Sequence, residues 1–376
     1  MEAERTAMIR VGIIGAGYIA GFVHIPGLLH CPDAKVVAIC DRKREAAEAQ
    51  AARHGIPTVV TDYRRIVEDQ TIDAVVICVP NSLHRQMALE AIAAGKHVLC
   101  EKPLGLNLAQ ARDMTSALSQ AGRRGLVAFT YRYAPCIRYA RHLVTAGHIG
   151  TVRQMRALFA LTAPDTWLEW RSMGTEAGGA LVDLGSHLLD CGRWFVGEVS
   201  SLAAMAKTFI PERPLADGTE MRAVGVDDAA AVLLEFENGA TGTIEVTRMA
   251  KGWGRRERGH VHLELNGTEG TIVCCLVRPF EVRVAGGRFL VEENHLVTLP
   301  VPEAFLTLPG AFRNPRSDPP QVGYRYDQAL QFIQNIREGR DDGPTFEEGM
   351  RVQALTDAAT LAARERRWVK MTEADG

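Results

Sequence analysis

From Ile9 to about Phe129 the chain repeats one pattern, a short β-branched run, a turn and a segment of helical length whose apolar residues lie three and four apart. Such repetition is typical of parallel strands joined by crossover helices. The predicted strands are Arg10–Ile14, Lys35–Cys40, Ala74–Val79, His97–Cys100 and Gly125–Phe129. Because these runs are apolar throughout, we expect a parallel sheet that helices cover on both faces.

After residue 146 the chain changes to longer runs in which apolar and polar residues alternate, with a strong hairpin signal at Asn238-Gly239. The predicted antiparallel strands are Val152–Leu161, Ala229–Phe236, Ala240–Val246, His260–Leu265 and Thr271–Cys275. Helices are predicted at Ala134–Ala146, Gly179–Phe195, Gly323–Glu338 and Glu347–Arg364. The expected fold class is therefore α/β plus α+β, with the parallel sheet first and then a domain built on a large, mostly antiparallel open sheet.

The length of 376 residues exceeds what one hydrophobic core usually supports. We therefore predict two domains, residues 1–128 and residues 129–376. A composition of 47% hydrophobic and 23% charged residues is that of an ordinary globular protein. The formal net charge of -2 provides no basic field for nucleic acid or anionic lipid, so a small-molecule ligand is favoured.

The sequence also predicts the compartment. Nothing near the N-terminus resembles a secretory signal, and no apolar run approaches the roughly 20 residues that span a membrane. The eight cysteines contain no C-x-x-C pair, and several of them end apolar strand-like runs. Buried free thiols in a reducing compartment explain them best, so we expect a cytoplasmic protein. No cysteine and histidine spacing indicates a metal site.

The first predicted strand runs directly into a glycine loop. The loop reads Gly15-Ala16-Gly17-Tyr18-Ile19-Ala20. This G-x-G-x-x-A pattern between a strand and a helix is the dinucleotide fingerprint of a Rossmann domain. The first glycine permits a tight turn, the second lets the backbone approach a pyrophosphate, and the alanine allows the helix to pack closely on the strand. The helix N-terminus would then face the phosphate charge.

Asp41 ends the second predicted strand, about 20 residues after the glycine loop, where a carboxylate accepts from the adenosine ribose hydroxyls. It favours NAD, because the 2′-phosphate of NADP would face a like charge. Arg42 leaves NADP possible, since its guanidinium can stack on adenine or pair with that phosphate. An Asp41 that only caps the following helix is the alternative.

Four further motifs are spread along the chain. They are V-P-N-S-L-H at 79–84, A-G-K-H-V-L-C-E-K-P at 94–103, R-Y-A-P at 132–135 and G-G-A-L-V-D-L-G-S-H at 178–187. With these motifs and the glycine loop, nearly the whole chain resembles the glucose-fructose oxidoreductase, inositol dehydrogenase and MocA family. The E-K-P tripeptide after the fourth strand of the parallel sheet is the most specific feature.

The resemblance implies that Lys102 is the acid and base beside the nicotinamide, and that Asp183 and His187 complete the catalytic set. The position of Lys102 agrees with this role independently, because open parallel sheets bind ligands at the carboxyl ends of their strands. A surface lysine before a proline is the alternative. The amine would accept the proton of a substrate hydroxyl while the C–H hydride passes to the nicotinamide.

Asp183, His187 and Asp190 lie at i, i+4 and i+7, so an α-helix would place them on one face. This polar stripe is either a satisfied core network or an active-site face that binds vicinal hydroxyls. By family position, Pro80, Asn81 and Glu101 contact the nicotinamide ribose and ring. His84 either does the same or begins the next helix. The remaining candidates for substrate contact are Tyr131, Arg132 and Trp170.

The function implied is hydride transfer between NAD(P) and a hydroxyl or carbonyl carbon of a sugar, anhydrosugar or cyclitol. Two alternatives remain at this stage, an NAD-dependent glycosidase that oxidises its sugar transiently and a non-catalytic nucleotide-sensing regulator. Because one face of the open sheet needs cover, a homodimer or homotetramer is expected. The basic segment 251–260 is interpreted as a solvated hairpin tip, with a phosphate or partner site as the alternative.

Overall fold

The computed structural model describes residues 8–162, 170–215, 218, 220–253, 259–289, 295–319 and 322–374. The chain forms two compact units, Met1–Tyr133 with Thr307–Met350 and Ala134–Leu306 with Arg351–Gly376. The predicted division after residue 128 assigns residues 307–350 to the second domain, whereas here they belong to the first unit. The physical reason is that apolar side chains of this segment, Ala329, Phe332 and Ile333, are buried in the first unit's core.

The helices and strands follow in chain order. The helices are α1 (Ile25–Leu29), α2 (Arg44–His54), α3 (Arg64–Val67), α4 (His84–Ala93), α5 (Leu108–Gln120), α6 (Pro135–Thr145), α7 (Ser186–Phe195), α8 (Asp327–Glu338), α9 (Phe346–Glu365) and α10 (Met371–Ala374). Two π-helical turns, Ala20–His24 and Leu181–Gly185, lead directly into α1 and α7. No helix in the described part of the chain is long and apolar enough to cross a membrane.

The first unit contains a six-stranded sheet in the order β3-β2-β1-β4-β5-β6. Its strands are β1 (Ile9–Ile14), β2 (Ala34–Cys40), β3 (Thr58–Val60), β4 (Ala74–Ile77), β5 (His97–Cys100) and β6 (Gly125–Val127). All neighbouring strands are parallel. This order is that of the doubly wound Rossmann fold, so the predicted parallel sheet is confirmed. The short edge strand β3 was not predicted.

The second unit contains a nine-stranded sheet in the order β16-β15-β14-β13-β7-β12-β11-β8-β17. Its strands are β7 (Val152–Ala160), β8 (Val199–Lys207), β11 (Ala229–Phe236), β12 (Thr241–Thr247), β13 (His260–Gly267), β14 (Gly270–Cys275), β15 (Glu281–Gly286), β16 (Val297–Pro300) and β17 (Val369–Lys370). A separate two-stranded ribbon consists of β9 (Glu212–Pro214) and β10 (Met221–Ala223). Among the described residues of the nine-stranded sheet, β7 and β12 pair in parallel and the other neighbours are antiparallel, so the predicted open, mostly antiparallel sheet is confirmed.

One face of this large sheet is buried and the other is exposed. Along β11 the side chains of Val232 and Leu234 are buried, whereas Leu233 between them is 50% exposed. Because strand side chains alternate between faces, the exposed positions of β11 share one face with Met205 of β8, which is 68% exposed. Exposed apolar side chains therefore lie on the outer face of two adjacent strands.

Candidate active site

The register of the parallel sheet collects the predicted cofactor residues at one edge. Cys40, Ile14, Ile77 and Cys100 are register partners across β2, β1, β4 and β5. The residues that follow these positions therefore leave the sheet together. They include Asp41, the glycine loop, the segment around Asn81 and the pair Glu101-Lys102. Open parallel sheets bind their ligands at this carboxyl edge.

The glycine loop has the geometry that a dinucleotide needs. Gly15 has a φ of +102°, and a Cβ there would clash with the carbonyl oxygen of Cys78, so only glycine fits. Gly17 is exposed, and among the described residues no atom beyond its own chain neighbours lies within 4 Å of the place of a Cβ. Ala20 is fully buried where the helical segment packs on the sheet. The open space above Gly17 fits a pyrophosphate that approaches the backbone.

The side chain of Tyr18 lies at the outside of this loop. It is 39% exposed and stacks on Phe22 with ring centroids 4.5 Å apart. Ile19 precedes the π-helical turn Ala20–His24, in which the N–H of Gly21 donates to the carbonyl oxygen of Gly17 at 3.2 Å. The cofactor contacts of Tyr18 and Ile19 stay predictions.

Asp41 holds the loop as well as the start of α2. Its Oδ2 accepts from the N–H of Ala16 at 2.9 Å, and its Oδ1 accepts from the N–H of Lys43 at 2.9 Å. Since a carboxylate oxygen accepts more than one hydrogen bond, both oxygens can still bind ribose hydroxyls. Asp41 therefore stabilises the glycine loop in addition to the start of α2. Arg42 is exposed beside it.

The motif at residues 79–84 divides into two parts. Pro80 is half-buried, and Asn81, which is 3% exposed, begins a short 3₁₀ helix. His84 begins α4 and is completely buried. Its ring nitrogens lie 2.9 Å from the carbonyl oxygen of Pro103 and 3.0 Å from that of Val79. This placement favours the alternative in which His84 begins the helix, because it braces two loops and has no exposed surface for a cofactor.

Lys102 lies directly after β5 and is half-buried, and its peptide bond to Pro103 is cis. The neighbouring carboxylate of Glu101 is only 14% exposed and is directed at His24, with 2.8 Å between Oε1 and Nε2. Its Oε2 accepts from the N–H of Lys102 at 3.2 Å. Burial alone would raise the pKa of Glu101, but the hydrogen bond and charge of His24 and the charge of Lys102 lower it. Glu101 therefore faces a protein partner that the sequence did not predict.

The next two candidates in the first unit are buried. Arg132 is 7% exposed, and its Nη2 lies 2.7 Å from Oε2 of Glu348 in the same unit, so its contact with a substrate stays a prediction. Tyr131 is 6% exposed, and the guanidinium of Arg325 lies 5.7 Å from its ring centroid. Arg325 was not singled out in the sequence, because no motif marks it.

In the second unit the predicted polar stripe is interrupted by a π-helical turn. Asp183 belongs to the turn Leu181–Gly185, while His187 and Asp190 belong to α7. The side chain of Asp183 is 19% exposed and has Nε of Arg171 at 3.8 Å, whereas His187 is 7% exposed and Asp190 only 1%. The prediction that one regular α-helix carries all three residues was therefore wrong, because a π turn changes the direction of successive side chains.

Asp227 positions the start of this helical segment and was not predicted. Its Oδ2 accepts from the N–H of Leu181 at 2.8 Å, which satisfies a donor that the helix start leaves open. Gly179 has a φ of +98°, and a Cβ there would clash with Oδ1 of Asp227. Burial raises the pKa of Asp227 to about 6, against the opposing hydrogen bond from Leu181 and the charge of Arg248.

Two predictions fall wholly or partly outside the described residues. Trp170 begins a 3₁₀ helix, Trp170–Ser172, but its side chain lies outside the description. In the basic segment 251–260, residues 254–258 lie outside it as well. Within the described residues, no group of three or more His, Cys, Asp or Glu side chains could hold a metal ion.

A Rossmann sheet with a fitting glycine loop, a carboxylate after the second strand and a half-buried lysine at the same edge is typical of a nicotinamide-dependent oxidoreductase. Comparison with family models agrees. The model of the oxidoreductase family with an NAD-binding Rossmann fold matches residues 9–129, and that of the family's C-terminal alpha/beta domain matches residues 141–371. The chain belongs to the glucose-fructose oxidoreductase, inositol dehydrogenase and MocA family, and its first domain binds NAD.

Individual relatives cover almost the whole chain. Levoglucosan dehydrogenase of Pseudarthrobacter phenanthrenivorans is 31% identical over 97% of this chain and 98% of its own length. Inositol 2-dehydrogenase of Rhizobium meliloti is 26% identical over 96% of this chain and 99% of its own length. A solved structure of levoglucosan dehydrogenase in complex with NADH and levoglucosan superposes with a TM-score of 0.87, at 30% identity and over 96% of this chain and 99% of its own. The predicted family and enzyme class are confirmed.

Proposed function

We propose that the chain oxidises a ring hydroxyl of a sugar-like substrate with NAD⁺, with anhydrosugars as the first class to test. The observation that carries this proposal is the half-buried lysine at the carboxyl edge of the sheet, beside the loop that fits the dinucleotide. Levoglucosan, an anhydrosugar, is bound in the solved structure of a relative that aligns over nearly the full length. Cyclitols are the next class, because the Rhizobium meliloti relative is an inositol 2-dehydrogenase.

Lys102 is the proposed acid and base. In its neutral form the amine accepts the proton of the substrate hydroxyl, and the C–O single bond becomes a carbonyl as the C–H bond breaks. NAD⁺, when bound, accepts the hydride from that carbon. In the reverse direction the ammonium form of Lys102 returns the proton to the carbonyl oxygen. Lys102 follows the end of β5 directly, and a proton-transfer group requires a defined position of this kind.

Asp183 and His187 are the proposed orienting residues for the hydroxyls next to the reacting carbon. A carboxylate accepts from two hydroxyls, and an imidazole accepts or donates according to its tautomer. The carboxylate of Asp183, in the π-helical turn, is more exposed than that of the buried Asp190, seven residues farther on. His187 is less exposed than Asp183.

NADH formation at 340 nm tests the proposal, with NAD⁺ or NADP⁺ and a panel of anhydrosugars, sugars, cyclitols and glycosides. We expect net NADH with one of the first three classes. The Lys102→Met variant is expected to lose about 10²–10⁴ in kcat while it still binds NAD⁺ in a fluorescence titration. Full activity of this variant would refute the role of Lys102. Release of an aglycone without net NADH would replace the dehydrogenase with a glycosidase.

Two further properties complete the proposal. The exposed apolar side chains of Met205 and Leu233 on the outer face of the large sheet support a homodimer or homotetramer that covers this face. All eight cysteines are free and seven of them are buried, as expected in a reducing compartment. We therefore place the enzyme in the cytoplasm.

A further inference from the structure

A histidine and a glutamate connect the glycine-loop segment to the loop that carries Lys102. His24 ends the π-helical turn Ala20–His24 and is 2% exposed, and the side chain of Glu101 is 14% exposed. The two residues are 77 positions apart in the sequence, yet Nε2 of His24 lies 2.8 Å from Oε1 of Glu101. A buried pair of this kind joins the two segments directly.

The direction of this hydrogen bond follows from the ionisation of the carboxyl group. The pKa of Glu101 is lowered, although burial opposes this, by the hydrogen bond and charge of His24 and the charge of Lys102. An ionised carboxylate only accepts hydrogen bonds, so the proton lies on Nε2 of His24. The second oxygen, Oε2, accepts from the backbone N–H of Lys102 at 3.2 Å. One carboxylate therefore bridges His24 and the backbone of the reacting lysine.

This bridge fixes the lysine more firmly than a loop alone would. Residues after a strand end keep conformational freedom unless hydrogen bonds restrain them. Here two hydrogen bonds restrain the backbone of Lys102. They run from His24, in the turn after the dinucleotide loop, through the carboxylate of Glu101 to the backbone N–H of Lys102. We propose that His24 and Glu101 are positioning residues that hold the Lys102 amine in place for proton transfer. This inference rests on the proposed function, in which Lys102 is the acid and base.

The test compares two substitutions of His24 that differ in hydrogen bonding. His24→Phe keeps a ring but cannot donate to Glu101, whereas His24→Gln can donate through its amide. We expect kcat to fall about 10²-fold in His24→Phe, the typical effect of a misplacement near 1 Å, and to recover most of that loss in His24→Gln. The control is His30→Phe, because His30 follows α1 on the same segment and is exposed.

The same test must separate positioning from general damage to the fold. In a Lys102→Met background, His24→Phe is expected to lower kcat no further, since the pair acts through Lys102. The Kd for NAD⁺ and the Tm are measured for every variant. An additional loss of kcat in the Lys102→Met background would refute positioning. If His24→Phe does not fold, the kcat of Glu101→Ala is compared with that of Glu101→Gln. Glutamine can still form hydrogen bonds with His24 and with the backbone N–H of Lys102, whereas alanine cannot.

A measurement without turnover separates this inference from the proposed function. In the NAD-free protein, the rate of reductive methylation of the Lys102 amine is followed by peptide mass spectrometry. The rate is expected to rise in His24→Phe, because a released loop exposes the amine, and to stay near that of the unsubstituted protein in His24→Gln. An unchanged rate in His24→Phe overturns the positioning pair whatever the substrate is. A raised rate in a protein that forms no NADH with any substrate overturns the proposed function alone.

Discussion

Replacing Asp227 with asparagine is expected to stabilise the protein at pH 8 and to have little effect at pH 4. Asp227 accepts a hydrogen bond from Leu181, the first residue of the helical segment that carries Asp183 and His187. An asparagine oxygen at position 227 can still accept from that N–H. Burial raises the pKa of Asp227 from 3.8 to about 6 in the folded protein. The folded state therefore favours the protonated acid, and this contribution to stability is lost as the pH rises through 6.

The magnitude follows from the shift in pKa. Each pKa unit corresponds to 1.36 kcal/mol, so the ionised carboxylate lowers the free energy of unfolding by at most about 3 kcal/mol at pH 8. For a unit of this size, 1 kcal/mol moves the Tm by roughly 2–4 °C. Asp227→Asn should therefore raise the Tm by up to about 6–12 °C at pH 8, and by much less at pH 4, where the folded wild type is already protonated.

The assay is differential scanning fluorimetry of both proteins across pH 4 to 8, and the neighbouring Asp228 provides a matched control. Asp228 is 1% exposed, and its Oδ1 lies 2.9 Å from Nη2 of Arg213, which is also 1% exposed. Asp228→Asn leaves a buried arginine without its counter-charge, a change that typically costs about 3–5 kcal/mol. The two substitutions should thus move the Tm in opposite directions at pH 8. A Tm of Asp227→Asn that is no higher than that of the wild type at pH 8 would refute the reasoning.

Two further predictions concern cofactor choice and assembly. Asp41→Asn is expected to weaken NAD⁺ binding by about tenfold, the effect of one charged hydrogen bond, and to reduce the preference over NADP⁺. Fluorescence titration with both cofactors measures this, and an unchanged Kd for NAD⁺ would contradict the ribose contact. Met205→Asp with Leu233→Asp is expected to dissociate the oligomer in sedimentation velocity, because the charges would be buried in the covered face. Unchanged sedimentation would place the interface elsewhere.

Much of the cofactor site could be predicted because its information is local. The glycine loop, the strand before it and Asp41 each carry a sequence pattern that a single turn or strand end explains. Parallel pairing then brings those strand ends to one edge, as the register of Ile14, Cys40 and Ile77 shows. The strand β8 was missed for the converse reason, since its run of alanines and serines contains only one of the β-branched residues that mark a strand, Val199.

The contacts that were missed join distant parts of the chain. His24 is a single histidine in an apolar stretch of sequence, and nothing in that stretch predicts its partner Glu101, 77 residues away. Asp227 is 46 residues from the N–H group that it accepts from, and no local pattern links them. The burial of Arg132 against Glu348 likewise depends on residues 307–350 returning to the first unit.

The sequence by itself determined the Rossmann sheet, the dinucleotide loop and the class of enzyme, and it marked Lys102 as the candidate for the reacting lysine. These features depend on periodicity and on motifs whose geometry is set within a few residues. Only the tertiary structure decided which way the polar side chains face. Two π-helical turns redirect His24 and Asp183, and the packing of distant segments buries Asp190 and His84. Side-chain direction and burial depend on the whole fold, so no local pattern encodes them.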